Sequence, residues 1–138
     1  MTTALEDKDA IRELIAEYCY HLDNDRFADM AALFTEDGTW DTAFGTGTTR
    51  AGIVAQLQKI AALSTGPRPR RIHHTTNIVI KLSGENARVT SNWTVVENSS
   101  GGPRLSSGGG YTDDLVKVNG TWQFKYRKID RYIAPEFG

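Results

Sequence analysis

Residues 8–23, KDAIRELIAEYCYHLD, place Ile11, Leu14, Ile15, Tyr18 and Leu22 three or four positions apart. That period lines all of them along one side of an α-helix, which must then pack against something apolar. Residues 71–82, RIHHTTNIVIKL, follow the other period: the run is rich in β-branched side chains, and alternate positions share a face. A helix with one buried side comes first and a long strand follows.

The flanking sequence extends both halves. Thr2 or Thr3 can cap the first helix, and Glu6, Asp7 and Asp9 put negative charge at its positive end. Asp23-Asn24-Asp25 suits a turn and an N-cap for a second helix carrying Phe27, Met30, Ala31 and Phe34, so the two helices should form a hairpin. Thr35 to Gly38 predicts a turn, Thr39 to Phe44 a short strand, and Gly45 to Thr49 a hairpin return. Ala51 to Leu63 predicts a third helix, ended by Ser64 to Pro69.

From Ile72 onward the pattern predicts strands. Ile72 to Leu82 turns at Ser83 to Asn86, and Ala87 to Val95 alternates with one packed face. Asn98 to Gly109, rich in Gly and Ser, predicts a mobile connection before a strand over Gly110 to Val118. Asn119-Gly120 is a strong hairpin signal, since both residues accept positive φ. Thr121 to Tyr132 is the last strand, with Trp122, Phe124 and Tyr126 on one face. Helices first and antiparallel strands afterwards define an α+β fold in one domain, 1–138, with three helices on the concave face of a curved antiparallel or mixed sheet and room for a pocket between the layers.

Composition narrows the function. The 138 residues are 39% hydrophobic and 24% charged with a net charge of -1, so no field would hold a nucleic-acid backbone or an anionic membrane by charge. Arg68, Arg70 and Arg71, interrupted by Pro67 and Pro69, read as a solvated loop. Cys19 is the only cysteine, which excludes an internal disulfide and a thiolate metal cluster and makes it a small core residue. Neither a leader of secretory type nor a membrane-length apolar run is present, and the expectation is a cytoplasmic protein. Three histidines, with His21 off the apolar stripe, are too few for a metal centre, and no phosphate loop or serine-nucleophile signature calls for a cofactor or an acyl-enzyme.

The candidate site begins with Asp23, at the negative end of a helix, where a carboxylate is disfavoured. It can cap the second helix, or it can hold a histidine in one tautomer and support it as a base. Strand parity puts His74 with Ile72, Thr76, Ile78 and Ile80, and His73 with Arg71, Thr75, Asn77 and Val79. Alternation alone sends His74 inward; a bulge would shift the phase. Tyr18 lies on the buried stripe, where its hydroxyl needs a partner. Trp40 and Trp93 supply apolar walls. Arg127 falls opposite the aromatic face of the last strand, exposed to solvent unless it reaches the pocket to bind an anion.

The chain resembles the SnoaL-like group of the nuclear transport factor 2 superfamily along nearly its whole length. The resemblance is carried by Tyr18 five residues before Asp23, by Phe34-Thr35-Glu36-Asp37-Gly38-Thr39-Trp40, and by Arg71-Ile72-His73-His74-Thr75-Thr76-Asn77. It continues through Gly110-Tyr111-Thr112-Asp113-Asp114 and Asn119-Gly120-Thr121-Trp122-Gln123-Phe124, followed by Arg127. That group includes scytalone dehydratase, bile-acid dehydratase, polyketide cyclases and hexachlorocyclohexane dehydrochlorinase. The resemblance implies a cone-shaped fold around a pocket, assembly as a homodimer or homotrimer, and a cofactor-free lyase or isomerase. In its dehydratase and dehydrochlorinase branches an aspartate–histidine dyad removes a proton, which corresponds here to Asp23 and His73. Tyr18, Arg127, Trp40, Trp93, His74 and Asn77 would then contact a small, largely apolar substrate, cyclic ones included. Ketosteroid isomerase, in the same superfamily, uses carboxylates and a tyrosine instead, so its chemistry is not implied. Oxygenase small subunits share the fold without catalysing, which leaves a binding or interaction protein as the alternative.

Overall fold

A computed structural model describes residues 1–135; the final three residues of the expected domain lie outside the described residues. Helix α1 spans Ala4–Asp23, starting four residues before the stretch 8–23 that carries its apolar stripe, because the Thr3 side chain accepts a hydrogen bond from the Glu6 N–H at 3.1 Å. Ile11, Leu14, Ile15 and Tyr18 are buried as the period requires. The helix ends in a Schellman turn: Arg26 N–H bonds to His21 C=O at 2.9 Å and Asp25 N–H to Leu22 C=O at 3.3 Å, with Asp25 in the left-handed region at φ 56°. Helix α2, Phe27–Ala32, follows at once and buries Met30 and Ala31. Helix α3, Thr49–Ala61, buries Ile53 and Leu57.

Six strands form one mixed sheet in the order β2-β1-β6-β5-β4-β3. They are β1 (Phe34–Thr42), β2 (Gly45–Thr48), β3 (Arg71–Ser83), β4 (Asn86–Glu97), β5 (Arg104–Val118) and β6 (Thr121–Ile133). Among the described residues, only β1 and β6 pair in parallel. Among the described residues, no helix is long and apolar enough to cross a membrane.

Two sequence expectations are corrected here. Thr35 to Gly38 is not a turn between elements but an irregularity inside β1, whose pairing with β6 jumps from Phe34↔Phe124 to Thr39↔Tyr126. Of the expected connection Asn98 to Gly109, only residues 98–103 lie between strands; Arg104 to Gly109 belong to β5, and Ser107 to Gly110 are buried. Those glycines serve close approach: a Cβ on Gly109 would lie 1.9 Å from the Asp130 carbonyl oxygen, and one on Gly110 2.8 Å from Tyr132 Oη. Asn119 and Gly120, at φ 50° and 80°, do make the tight hairpin turn.

Two bulges set the phase of the inner face. In β3 the pairing steps from Thr76↔Asn92 to Val79↔Thr90, so three steps oppose two, and Asn77 takes φ 54°. Before the bulge His73 and Thr75 turn inward; after it Ile78, Ile80 and Leu82 do. In β6 Lys125 is the extra residue, between Leu115↔Phe124 and Asp114↔Tyr126. Trp122 and Phe124 face the core, Tyr126 swings out to donate to Asp41 Oδ2 at 2.5 Å, and Arg127 takes the inward place. The expectation that Tyr126 shares the face of Trp122 and Phe124 is therefore overturned.

Arg127 and Asp113, directly opposed on β6 and β5, are both fully buried and joined by Nε–Oδ1 at 3.0 Å. The guanidinium carbon sits 3.5 Å from the Tyr111 ring centroid, 4.2 Å from Tyr18 and 4.7 Å from Phe124. Its two terminal nitrogens and Asp113 Oδ2 have no hydrogen-bond partner among the described residues, so the ring faces stand in for hydrogen bonds at the guanidinium. Desolvation works against the charged Arg127, but Asp113 and Tyr111 outweigh it, and its pKa ends above the ordinary value. Burial pushes the Asp113 carboxyl up to about 6, with Arg127 the main opposing influence.

Arg127→Met should destabilise the fold by about 3–5 kcal/mol, because it strands a buried carboxylate; urea unfolding of this variant beside Arg127→Met/Asp113→Leu should show the double variant recovering much of the loss. Asn77→Gly should be nearly neutral, whereas Asn77→Val should cost about 1–2 kcal/mol through its forced positive φ, measured in the same denaturation series.

Candidate functional site

A cavity of about 200 Å³ opens between the helices and the sheet. Tyr18 and Leu22 of α1, Phe27 of α2 and Leu57 and Ile60 of α3 form one side. Trp40, Phe44, Trp93, Val95, Tyr111 and Ile129 form most of the other. Against this apolar lining stand a few polar groups: His73, Ser107, Thr42 and the arginines 68, 71 and 131.

His73 reaches the cavity because the bulge at Asn77 sets its phase. Behind it stands Asp23, the last residue of α1. One carboxylate oxygen, Oδ2, accepts the His73 backbone N–H at 2.8 Å, and the other, Oδ1, contacts His73 Nδ1 in a short hydrogen bond. Both side chains are largely buried, 13% and 8% exposed. An ionised carboxylate only accepts, so Nδ1 carries a proton, and in the neutral ring Nε2 keeps its lone pair. Asp23 does not cap α2, whose N-cap is Arg26 without a side-chain bond. The unfavourable place of a carboxylate at a helix C-terminus is offset by these two donors, while Arg71 Nη2 covers the helix end by donating to Leu22 C=O at 3.1 Å.

Tyr18 is buried, and its hydroxyl accepts from Trp40 Nε1 at 2.8 Å. The indole can only donate, so the phenol proton remains available to the cavity. Burial pushes the Tyr18 phenol up to about 12, with Arg127 beneath its ring opposing, so it stays a neutral donor. Burial likewise raises Tyr111 well above the ordinary tyrosine value. Trp93 donates to the Asp130 carbonyl at 3.2 Å and stands with its ring 6.3 Å from His73 and 6.1 Å from Tyr111.

Not all of the expected contacts are in the cavity. The structure brings Asp23, His73, Tyr18, Trp40 and Trp93 together. It puts His74 on the outside, where it borders a groove between α1 and β3, since alternation before the bulge turns it away from His73. Asn77 is the bulge residue itself, exposed and bonded through Nδ2 to Asn92 Oδ1 at 2.9 Å. Arg127 is neither solvent-exposed nor cavity-lining; it lies behind Tyr18 and Tyr111. Sequence reasoning missed Tyr111, Ser107 and Arg131, and took Arg68 and Arg71 for solvated loop residues. Arg131 follows Arg127 by two strand alternations, a signal that becomes readable only once the Lys125 bulge is known. Among the described residues, no three His, Cys, Asp or Glu side chains assemble where they could hold a metal ion.

The sequence profile of the SnoaL-like domain matches residues 3–128. No curated protein matches significantly. Many solved structures share the fold, among them three from Novosphingobium aromaticivorans. A protein named for scytalone dehydratase is 28% identical with TM-score 0.78, the match covering 97% of this chain and 89% of that one. An NTF2-like protein with a cystatin-like fold is 24% identical with TM-score 0.77, covering 91% and 81%. A protein named as the beta subunit of an aromatic-ring-hydroxylating dioxygenase is 18% identical with TM-score 0.81, covering 96% and 93%. With the three helices, the mixed sheet and the matched profile in agreement, the chain belongs to the SnoaL-like domain family, and its fold is that of the NTF2-like protein above.

Proposed function

We propose that this single SnoaL-like domain is a cofactor-free lyase or isomerase of dehydratase type, acting on a small, largely apolar molecule held in the cavity. The observation that carries this reading is the two-point grip of Asp23 on His73, which fixes both the ring and the backbone of one residue and leaves Nε2 for the cavity. A histidine serving only as packing would not need its tautomer set by a buried carboxylate.

In an elimination, His73 Nε2 takes a proton from carbon and the C–H electron pair becomes the new double bond. The leaving hydroxyl departs with its own bonding pair and is met by the Tyr18 O–H. The proton on His73 completes the water, so substrate yields only alkene and water. Asp23 stabilises the imidazolium formed on the way. In an isomerisation the same base returns the proton to a different carbon. Positioned acid–base groups supply about 10²–10⁴-fold; the apolar aromatic walls, closed over a bound substrate, strengthen charge interactions inside them and supply more.

The outer sheet face supports the assembly expected of such a protein. Ile72, Val96 and Leu105 lie side by side across β3, β4 and β5, and Ile72 and Leu105 are more than half exposed. A second copy of this chain is the partner we assign to that row.

A panel of small β-hydroxy carbonyl compounds, with the conjugated product followed by ultraviolet absorbance, tests the chemistry. His73→Ala and Asp23→Asn should each lose about 10²-fold or more of the rate while keeping the wild-type circular dichroism, and Tyr18→Phe should lose less. In Asp23→Asn, ¹⁵N shifts of the imidazole should show the proton moved to Nε2; full activity in either dyad variant would end the proposal. Light scattering should find the wild type larger than a monomer and Leu105→Glu/Ile72→Glu shifted towards one.

A further inference from the structure

Arg68, Arg71 and Arg131 all line the cavity, and no aspartate or glutamate among the described residues does. Arg68 Nη1 and Arg71 Nη2 converge on a single oxygen, Asp25 Oδ1, at 2.6 and 2.9 Å. Asp25 is 49% and Arg68 25% exposed, so this pair marks the solvent end of the cavity. Arg131 has no carboxylate within ion-pairing distance among the described residues; its guanidinium carbon lies 5.5 Å from the Phe44 ring. The guanidinium groups lining the cavity thus outnumber the carboxylates bonded to its lining. Three positive charges face Asp25 here and Asp23 on the dyad wall, which leaves one positive charge over when His73 is neutral.

We propose that the cavity selects small cyclic or aromatic monoanions, carboxylates above all. The ring packs among Phe27, Trp40 and Trp93, and the carboxylate lies at the open end on Arg131 and Arg68. Apolar cavities of about 150 Å³ take benzene, and this one, at about 200 Å³, holds a ring with a short substituent. A guanidinium offers paired donors that match a planar carboxylate, and Arg131 has its fork uncommitted to any described acid. Arg71 is held in place by Leu22 C=O and Asp25, so it contributes field rather than a contact. The charged end also sets orientation: a molecule anchored there presents its far carbons to the dyad wall. The assignment rests on the reading of this cavity as the substrate site, but it concerns binding and is measured apart from turnover.

The test uses trans-cinnamate and its neutral isostere cinnamamide as probes, titrated at about pH 8, where an ordinary imidazole is neutral. Indole N–H resonances of Trp40 and Trp93 report cavity occupancy in the ¹⁵N-labelled chain. Trp122, whose Nε1 donates to Asp7 at 3.1 Å away from the cavity, is the internal control. Cinnamate should bind at least about tenfold more tightly than the amide. That preference should fall below about threefold in Arg68→Gln/Arg131→Gln and persist in His73→Ala. Should the double variant not fold, raising salt to about 0.5 M should cut the wild-type preference at least threefold while leaving the amide's affinity unchanged. Equal affinities, a preference that survives loss of both arginines or high salt, a preference that vanishes with His73, or no response of Trp40 and Trp93 to either probe would each overturn the assignment. Because no turnover is measured, these outcomes stand apart from those of the dyad variants.

Discussion

A guanidinium with no access to water governs the middle of this molecule. Arg127 can be buried only if its charge is met at short range, since an unpaired ion in such a place costs several kcal/mol, about 3–5 when one partner is removed. Asp113 meets one edge, and the faces of Tyr18, Tyr111 and Phe124 meet the rest. That requirement fixes where the two tyrosine rings stand. Both rings also line the cavity, so the ion pair behind the wall determines the shape of the wall itself. Tyr18 passes the constraint on, because its hydroxyl is the acceptor that holds the Trp40 indole.

A second constraint ties the end of α1 to the start of β3. Asp23 bonds to His73, Arg71 to Leu22, and Arg68 and Arg71 to Asp25, all across some fifty residues of sequence. The Schellman turn makes this possible by ending the helix abruptly and projecting Asp25 towards the arginines. The same few residues therefore finish a helix, orient a histidine and build the charged rim of the cavity. Such shared duty explains why a carboxylate occupies a helix terminus whose dipole opposes it.

The two bulges do comparable work in two strands. Each adds one residue to one partner and so exchanges inner and outer positions beyond it. At Asn77 the exchange lets a polar His73–Thr75 wall precede the apolar run Ile78, Ile80 and Leu82 on the same face. At Lys125 it puts Arg127, Ile129 and Arg131 inside after Trp122 and Phe124. Without these insertions a strand whose apolar side chains face the core at one end of the sheet would not turn His73 or Arg131 to the cavity at the other.

By itself the sequence determined the three helices, most of the strand segments, their order, the buried side of α1 and the Asn119-Gly120 hairpin. These follow from local period and turn chemistry, which a single chain segment contains in full. It also brought Asp23, Tyr18 and the histidine pair forward, though alternation by itself favoured His74. Only the tertiary structure turned His73 rather than His74 towards the cavity, moved Arg127 from surface to core, turned Ser107 to Gly110 from a mobile connection into a packed strand, and drew Arg68, Arg71 and Arg131 around one cavity. The physical reason is that a bulge is a mismatch between two strands, and an ion pair or close approach is a relation between distant segments. Neither is written in the period of one strand; both appear only when its neighbour is beside it.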